Sequence, residues 1–589
     1  MSIKNISTYI LFLIFTNSVV AQLVIKNNNY LYVNNQLLHV EEDINLMNSD
    51  SRILLRDESQ LTQRSEDIAN KGVGELSIYQ EGTVGEYEYN YWCSPISQKI
   101  ISNTNNNFGI SLLNDVIDNL TSIPATYIHN SDYNGTSNPL NIEPYWIYKF
   151  ITSNQYSQWI SVQENTTINP GEGFTMKGVS GTSANNSGDN QRYDFRGKPN
   201  NGTIQNAVLA NNWTLVGNPY PSALDARDYI WDTDNINAIT GTLYFWEQDK
   251  TVNSHYIADY VGGYATYTIN ESGNVETFIP ATFNSYNSDG SLNTVGSPSA
   301  SGKQVFRYMA IGQGFMVEGK IGTTGIVTTR NSHREFYKES GTNSDFFRPS
   351  TSETNENLTV LPYAYKRFRI NVDFNNIYTR QLVQTFHPTA TAGFDYGLES
   401  KSPEDVASDA YWELNGVPYT AQAFPFDSQL EIPLIINLSE QKSITIRAFD
   451  IQNFDSNQPI FIYDTHNNTY VDLRIQDYNI NLPQGTYDER FKIRFVSETL
   501  NLESVPLDSF HIFQNNNISQ LTILNPNQLD IKDVSILDMT GKLVFHKSNL
   551  PKQDSYSFNT KNFSAGIYIT KILIENSSIS QTKKIIIKN

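Results

Sequence analysis

The chain has 589 residues, with 41 Lys plus Arg against 61 Asp plus Glu, for a net charge of −20. A chain of this length holds about three to four domains, each able to bury a core, and the acidic balance excludes a general nucleic-acid or anionic-membrane binder, which needs clustered Lys and Arg. One cysteine, Cys93, excludes a disulfide scaffold and any multi-cysteine metal site.

Residues 1–21 read as a secretory signal peptide. Lys4 supplies the positive start, Tyr9 to Phe15 the short apolar core, and Val19-Val20-Ala21 the small residues ahead of Gln22. That apolar run is too short to cross a bilayer, and no later segment reaches ~18 uninterrupted apolar residues, so no membrane span is expected in the mature chain. Residues 22–80 carry short apolar clusters between polar turns: Leu31-Tyr32-Val33, Leu37-Leu38, Ile44-Asn45-Leu46 and Ile53-Leu54-Leu55. Their regular spacing predicts a short N-terminal β-solenoid or a meander.

Residues 81–345 read as a duplicated β region. The first copy runs through Tyr91-Trp92-Cys93-Ser94-Pro95, Pro144-Tyr145-Trp146-Ile147-Tyr148 and Gly171-Glu172-Gly173-Phe174. The second runs through Val216-Gly217-Asn218-Pro219-Tyr220-Pro221, Leu243-Tyr244-Phe245-Trp246 and Gly312-Gln313-Gly314-Phe315. Each copy then reaches an Arg-aromatic segment, at Arg192 and at Arg334. The order repeats while the spacings differ, as loop insertions between matched strands would produce. A polar linker follows at 345–356. In 358–498, period-two alternation in Phe368–Phe374, Ile444–Ile446 and Phe491–Phe495 predicts a jelly-roll-like β-sandwich. One short helix is expected there, with Ser402 as N-cap, Pro403 at N1 and Asp405 at N3.

Residues 508–589 predict a small C-terminal β-sandwich. Val534 to Val544 is two strands about a turn at Gly541; Asn562 to Ile569 contains Gly566 and Tyr568; Lys583-Lys584 precede Ile585-Ile586-Ile587. This order resembles the type A C-terminal sorting domain of the type IX secretion system, with Gly541, Gly566, Tyr568, Lys583 and Lys584 as the motif positions. The resemblance implies handling by the type IX machinery, passage across the outer membrane, cleavage near 500–510, and release or attachment at the outer-membrane surface. The central phrases, chiefly Tyr91 to Pro95, Gly217 to Pro221 and the two Gly-x-Gly-Phe segments, also resemble a recurrent region of large type IX cargo proteins. Those are mostly uncharacterised surface proteins, so that likeness supplies an address and no chemistry.

Candidate chemistry is sparse. Asp225, Asp228, Asp232 and Asp234, beside Asn235 and Asn237, offer the oxygens that Ca²⁺ takes, and calcium is the one cofactor considered. Asp232-x-Asp234 begins like an EF-hand loop, but Ile236 and Asn237 occupy the fifth and sixth positions. The alternative is a short helix capped by Ser222, with Asp225 at N3 and a solvated acidic face. Asp395, Glu404, Asp405 and Asp409 form a second acidic group on presumed loops, read either as a ligand or calcium site or as a solubility feature. The Gly-x-Gly-Phe segments lack the third glycine and the following helix of a dinucleotide loop, so they read as turn glycines that start buried strands. No H-E-x-x-H or G-x-S-x-G occurs, and no catalytic residue is assigned. Cys93 reads as a buried, inert thiol. Trp146, Trp159, Trp213, Trp231, Trp246 and Trp412 are candidate contacts for sugar rings or interfaces, against a core role.

The fold expected is therefore all-β and multidomain. The function expected is a secreted cell-surface adhesin or extracellular binding protein. The alternatives are a carbohydrate-active enzyme or accessory glycan-binding protein, and a structural surface-layer component. The partners expected are the type IX machinery and a glycan or other surface polymer.

Overall fold

The computed structural model of the chain describes residues 22–66, 69–102, 104–181, 190–299, 302–340, 344, 360–497, 510–574 and 580–588. The segments expected to be the signal peptide (1–21), the linker (345–356) and nearly all of the cleavage region (500–510) lie outside those residues. Strands dominate what is described, with two short α-helices, Ala226–Ile230 and Asn235–Ala238. The chain is all-β, as expected. It divides into two compact units, one up to Ile493 and one from Arg494. The sequence boundaries at 80 and 345 both fall inside the first unit.

The N-terminal strands pair in parallel. Leu23–Ile25 lies beside Ile44–Leu46, Tyr30–Asn34 beside Arg52–Arg56, and Leu37–Val40 beside Gln60–Gln63. Each turn of chain thus stacks on the one before, which is the solenoid alternative rather than the meander. The recurring clusters put Ile25, Ile44, Leu46, Ile53, Leu55 and Leu61 in one buried stack. A further strand, Glu75–Glu81, is parallel to Arg52–Arg56 on one side and antiparallel to Arg192–Pro199 on the other. The solenoid sheet therefore continues directly into the central region.

The central region repeats its topology. In the first copy, Tyr89–Cys93 pairs antiparallel with Gly173–Lys177, which pairs with Tyr148–Lys149. In the second, Trp213–Gly217 pairs with Gly314–Gly319, which pairs with Ile239–Gln248. The registers also match. Cys93 faces Gly173 as Gly217 faces Gly314, and Trp92 faces Phe174 as Val216 faces Phe315. The copies then cross-brace each other: Trp92 bridges to Gln313, and the equivalent Val216 bridges to Glu172. This reciprocity is that of a pseudo-two-fold axis.

The axis explains the repeated glycines. Gly171 and Gly312 hold φ of +80° and +76°, which admits glycine at little cost. At Gly314 an added Cβ would sit 2.7 Å from the Tyr91 carbonyl carbon, and at Gly173 it would sit 2.7 Å from Leu215 Cγ. Each second glycine is thus crossed by the first strand of the other copy. Gly217 faces Cys93 across the axis, and a Cβ there would lie 2.5 Å from that of Cys93. Only one of these two equivalent positions has room for a side chain. Cys93 is fully buried, and burial pushes its thiol far up, so it is inert.

The strands between 366 and 494 form one ladder that turns over at Asp409–Leu414. The first half of that strand pairs with Glu431–Leu438 and the second half with Val417–Phe424. Glu431–Leu438 alternates in burial over much of its length, with one side inward and one outward. Tyr378–Phe386 is buried throughout, because this ladder also packs on the central region, where Val383 and Ala421 meet Ile279. Buried guanidinium groups fix that contact: Arg367 Nη2 donates to Glu276 O and Arg369 Nη1 to Phe278 O, both at 2.8 Å. The helix expected at Ser402 does not form. Ser402 Oγ instead donates to Glu404 O, and the Glu404 carboxylate accepts from Arg380. A tertiary ion pair outweighs the propensity of a few residues that would have to bear the whole cost of nucleating a helix.

The second unit holds a three-stranded sheet (His511–Asn515, Gln520–Leu524, Ser555–Asn559) and a four-stranded one (Leu543–Ser548, Ile531–Asp538, Gly566–Ile574, Ser580–Ile587). Leu521, Ile523, Val534, Ile536 and Ile572 are fully buried in its core.

Candidate functional site

A cavity of about 710 Å³ opens where the two central copies meet. Strand alternation builds it. Tyr89 and Tyr91 point in from one first strand, and Trp213 from the other, at the position equivalent to Tyr89. Tyr148 pairs with Thr175 as Tyr244 pairs with Met316, which makes Phe150 and Trp246 a second equivalent pair on the wall. Tyr264, Tyr286 and Trp159 close the interior, and Tyr145, Tyr156 and Tyr256 form the mouth. Tyr256 is 77% exposed.

The rings are locked against one another. Tyr91 stacks on Trp246 at 6.5 Å with an interplanar angle of 11°, and its hydroxyl shares a 3.0 Å hydrogen bond with that of Tyr264. Trp159 meets Phe150 at 4.7 Å, and Trp213 meets Tyr244 at 4.4 Å. A rigid aromatic wall of this kind loses little side-chain entropy when a ligand is stacked on it.

Lys177 lies just behind one wall. Its Nζ donates to Tyr260 Oη at 2.6 Å and approaches His255 Nδ1 at 2.9 Å, with the Trp146 ring at 3.9 Å. His255 Nε2 bonds Asn134 Oδ1 at 2.8 Å, which makes Nδ1 the acceptor for the lysine. Burial pushes the Lys177 amine down to about 6, against the pull of Glu88. Burial and the neighbouring lysine push His255 down to about 4, so both groups are held toward their neutral forms. By strand register Lys177 is the counterpart of Glu318, which is also buried and is paired with Lys401.

The residues singled out by sequence fall in several places. Trp146, Trp159, Trp213 and Trp246 line the cavity. Trp412 is fully buried in the third region, and Trp231 packs edge-on against Tyr396 while its Nε1 donates to Ile269 O. The four aspartates each meet a guanidinium. Asp225 caps the Ala226–Ile230 helix, in place of Ser222, and is bound by Arg307. Asp228 pairs with Arg227. Asp232 accepts from Arg330 Nε at 2.7 Å and His333 Nε2 at 3.2 Å, and Asp234 from Arg330 Nη2. Burial raises the Asp232 carboxyl, but the hydrogen bonds from His333 and Arg330 hold it well below the usual range. Among the described residues no three His, Cys, Asp or Glu side chains converge as a metal would need. In the second acidic group, Glu404 and Asp409 flank buried Arg380, Asp395 accepts from Thr391, and Asp405 is exposed.

Sequence reasoning passed over the tyrosines, Lys177 and His255. The one signal was local: Tyr87, Tyr89 and Tyr91 alternate along a single strand-like run. In the second unit Gly541 holds φ +82° in the turn after Ile531–Asp538. Gly566, Tyr568, Lys583 and Lys584 share one ladder, with Gly566 opposite Ile587 and Tyr568 opposite Ile585. Tyr568 is buried, and its hydroxyl donates to Ser564 O.

The fold is that of an all-β protein whose C-terminal unit has a core of its own. Residues 511–588 match the secretion system C-terminal sorting domain family, which makes the chain a type IX secretion cargo with a type A sorting domain, directed to the cell surface or the extracellular space. Residues 121–495 match a family described as a domain of unknown function, DUF8693, and the chain belongs to that family. An ulvan lyase, NLR42, from Nonlabens ulvanivorans is 24% identical over 196 residues, covering 31% of this chain and 36% of the lyase. The chain therefore spans only about a third of that relative's length. Among the described residues no helix is long and apolar enough to cross a membrane.

Proposed function

We propose that this cargo is an extracellular glycan-binding protein of adhesin type, and that the aromatic cavity between its central copies is the binding site. The observation that carries this reading is the wall itself. Trp213, Trp246 and a ring of tyrosines at one concave site offer flat faces for sugar C–H surfaces and hydroxyls for sugar O–H groups. Similarity to a protein named as an ulvan lyase supports it. Export by the type IX route would bring such a site to polymers outside the cell, and residues 1–21 would serve as the signal peptide for the first step.

The test is binding of residues 22–589 to a glycan array and to insoluble polysaccharides, beside Tyr256→Ala and Tyr156→Ala. Saturable binding to one glycan class, weakened in both variants, is the expected result. Binding to no glycan refutes the reading.

A catalytic use of the same cavity has one observation in its favour, the neutral-leaning Lys177–His255–Tyr260 cluster at its edge. Of the three, Lys177, held down to about 6, can exchange a proton at ordinary pH. Accumulation of unsaturated sugar products from a bound uronate polymer, lost in Tyr260→Phe, would establish it. Bound polymer recovered intact excludes it.

A further inference from the structure

The charge distribution of the cavity narrows its ligand, given the assignment of the cavity as the glycan site. We propose that the ligand is a neutral glycan, carrying no carboxylate or sulfate on the sugars that enter the cavity. Among the described residues that line it, none is Asp, Glu, Lys or Arg, in a chain where charged residues make up 17%. The polar lining is Asn154, Gln155, Ser157, Thr175, His255 and tyrosine hydroxyls. Amides and hydroxyls both donate and accept, which matches a sugar hydroxyl and gives an anion no counter-charge.

The lysine behind the wall does not change this. Lys177 is buried behind the wall, its Nζ engaged by Tyr260 and His255 and covered by Trp146. His255 has both nitrogens occupied, one by Lys177 and one by Asn134. A carboxylate or sulfate entering the cavity would lose its hydration and gain no ion pair, a cost that ordinarily excludes it. The field of a chain at −20 adds repulsion. The contrast lies within the same unit. A second cleft of about 500 Å³, beside the solenoid, is lined by Arg56, Asp57, Glu58, Glu81, Arg192 and Glu339. The chain thus places charge around one cleft and none around the other. The inference also sets this protein apart from the relative named as an ulvan lyase.

The experiment is affinity electrophoresis and calorimetry of residues 22–589 with two probe sets of matched length. One set is neutral, from β-glucan and xylan. The other is anionic, from ulvan and alginate. Both are run at low and high salt, beside Tyr256→Ala and Tyr156→Ala, two tyrosines exposed at the mouth whose truncation leaves the core intact. The expected result is binding of a neutral set member, insensitive to salt, and weakened about two- to tenfold in each variant. Tighter binding of the anionic set, falling with salt, overturns the neutral assignment and leaves the cavity as a glycan site. Binding of neither set overturns the glycan reading itself, and the neutral assignment with it. Neutral binding unchanged in both variants places the ligand outside the cavity and overturns both.

Discussion

Lys177→Met keeps the aliphatic stem under the Trp146 ring and removes the titrating amine. In the unfolded chain a lysine titrates near 10.4; in the folded unit burial brings Lys177 down to about 6. Between those values the unfolded state holds a proton that the folded state has released. Stability therefore rises with pH across that window, by about 1.4 kcal/mol per unit, and the gain is lost as pH falls toward 6. The rings of Trp146, Tyr89 and Tyr260, at 3.9, 4.9 and 5.0 Å from Nζ, pull the other way. A desolvated cation–π contact is worth about 2 kcal/mol, or about 1.5 units. The interval from pH 8 to 9 lies above the folded value with or without that pull. Over it, the parent should gain about 1.4 kcal/mol relative to Lys177→Met. Urea unfolding followed by tryptophan fluorescence reads the first unit alone, since all seven Trp precede Arg494. Other titrating groups cancel in the difference. Parallel stability curves for parent and variant would refute the account, because Lys177 would then be charged in the folded state.

Glu399 tests the same linkage with the opposite sign. Its carboxyl accepts from the backbone N–H of Asp395 and Ala423, and burial pushes it up to about 9. The parent should lose stability relative to Glu399→Gln by about 1.4 kcal/mol per unit from pH 6 to 8, and urea curves that keep a constant offset would contradict this. Gly314→Ala should cost about 1–3 kcal/mol or more, because the new Cβ meets backbone that cannot rotate away. Gly393→Ala, whose new Cβ would meet only Thr391 Oγ1 at 3.7 Å, should cost less; equal melting temperatures would remove the pseudo-two-fold crossing as the reason for the glycine. Arg380→Met strands Glu404 and Asp409 as buried carboxylates and should cost about 3–5 kcal/mol at neutral pH, with much of it recovered at acid pH in chemical denaturation. Calcium should leave the melting temperature of the parent and of Asp225→Asn/Asp232→Asn unchanged, because guanidinium groups occupy those carboxylates; a calcium shift in the parent that the double variant loses would return the metal to that cluster.

Local pattern was enough for much of the fold. The solenoid was legible because its clusters recur at near-constant spacing, and parallel stacking places each over the last. The duplication was legible in its glycines, since a strand crossing overhead admits no other residue at Gly173 or Gly314. The sorting unit was legible in the order of Gly541, Gly566 and Tyr568. The cavity was not, because it is made by the packing of one copy against the other: Tyr91 meets Trp246 only through that contact, and neither strand announces it. The partners of the aspartates were hidden for a related reason. Asp225 and Asp232 look like a cluster along the chain, yet their partners Arg307 and Arg330 lie 82 and 98 residues away. Ser402 and Pro403 carry a good helix start, which yields to the pull of Arg380 on Glu404.

The most direct measurement is a tryptophan fluorescence titration of residues 22–589 with the glycan that binds best. Four of the seven tryptophans, Trp146, Trp159, Trp213 and Trp246, line the cavity. A ligand seated there must therefore change the emission saturably, at concentrations that rise in Tyr256→Ala. A glycan that binds by calorimetry and leaves the emission untouched would place the site elsewhere and contradict the central claim.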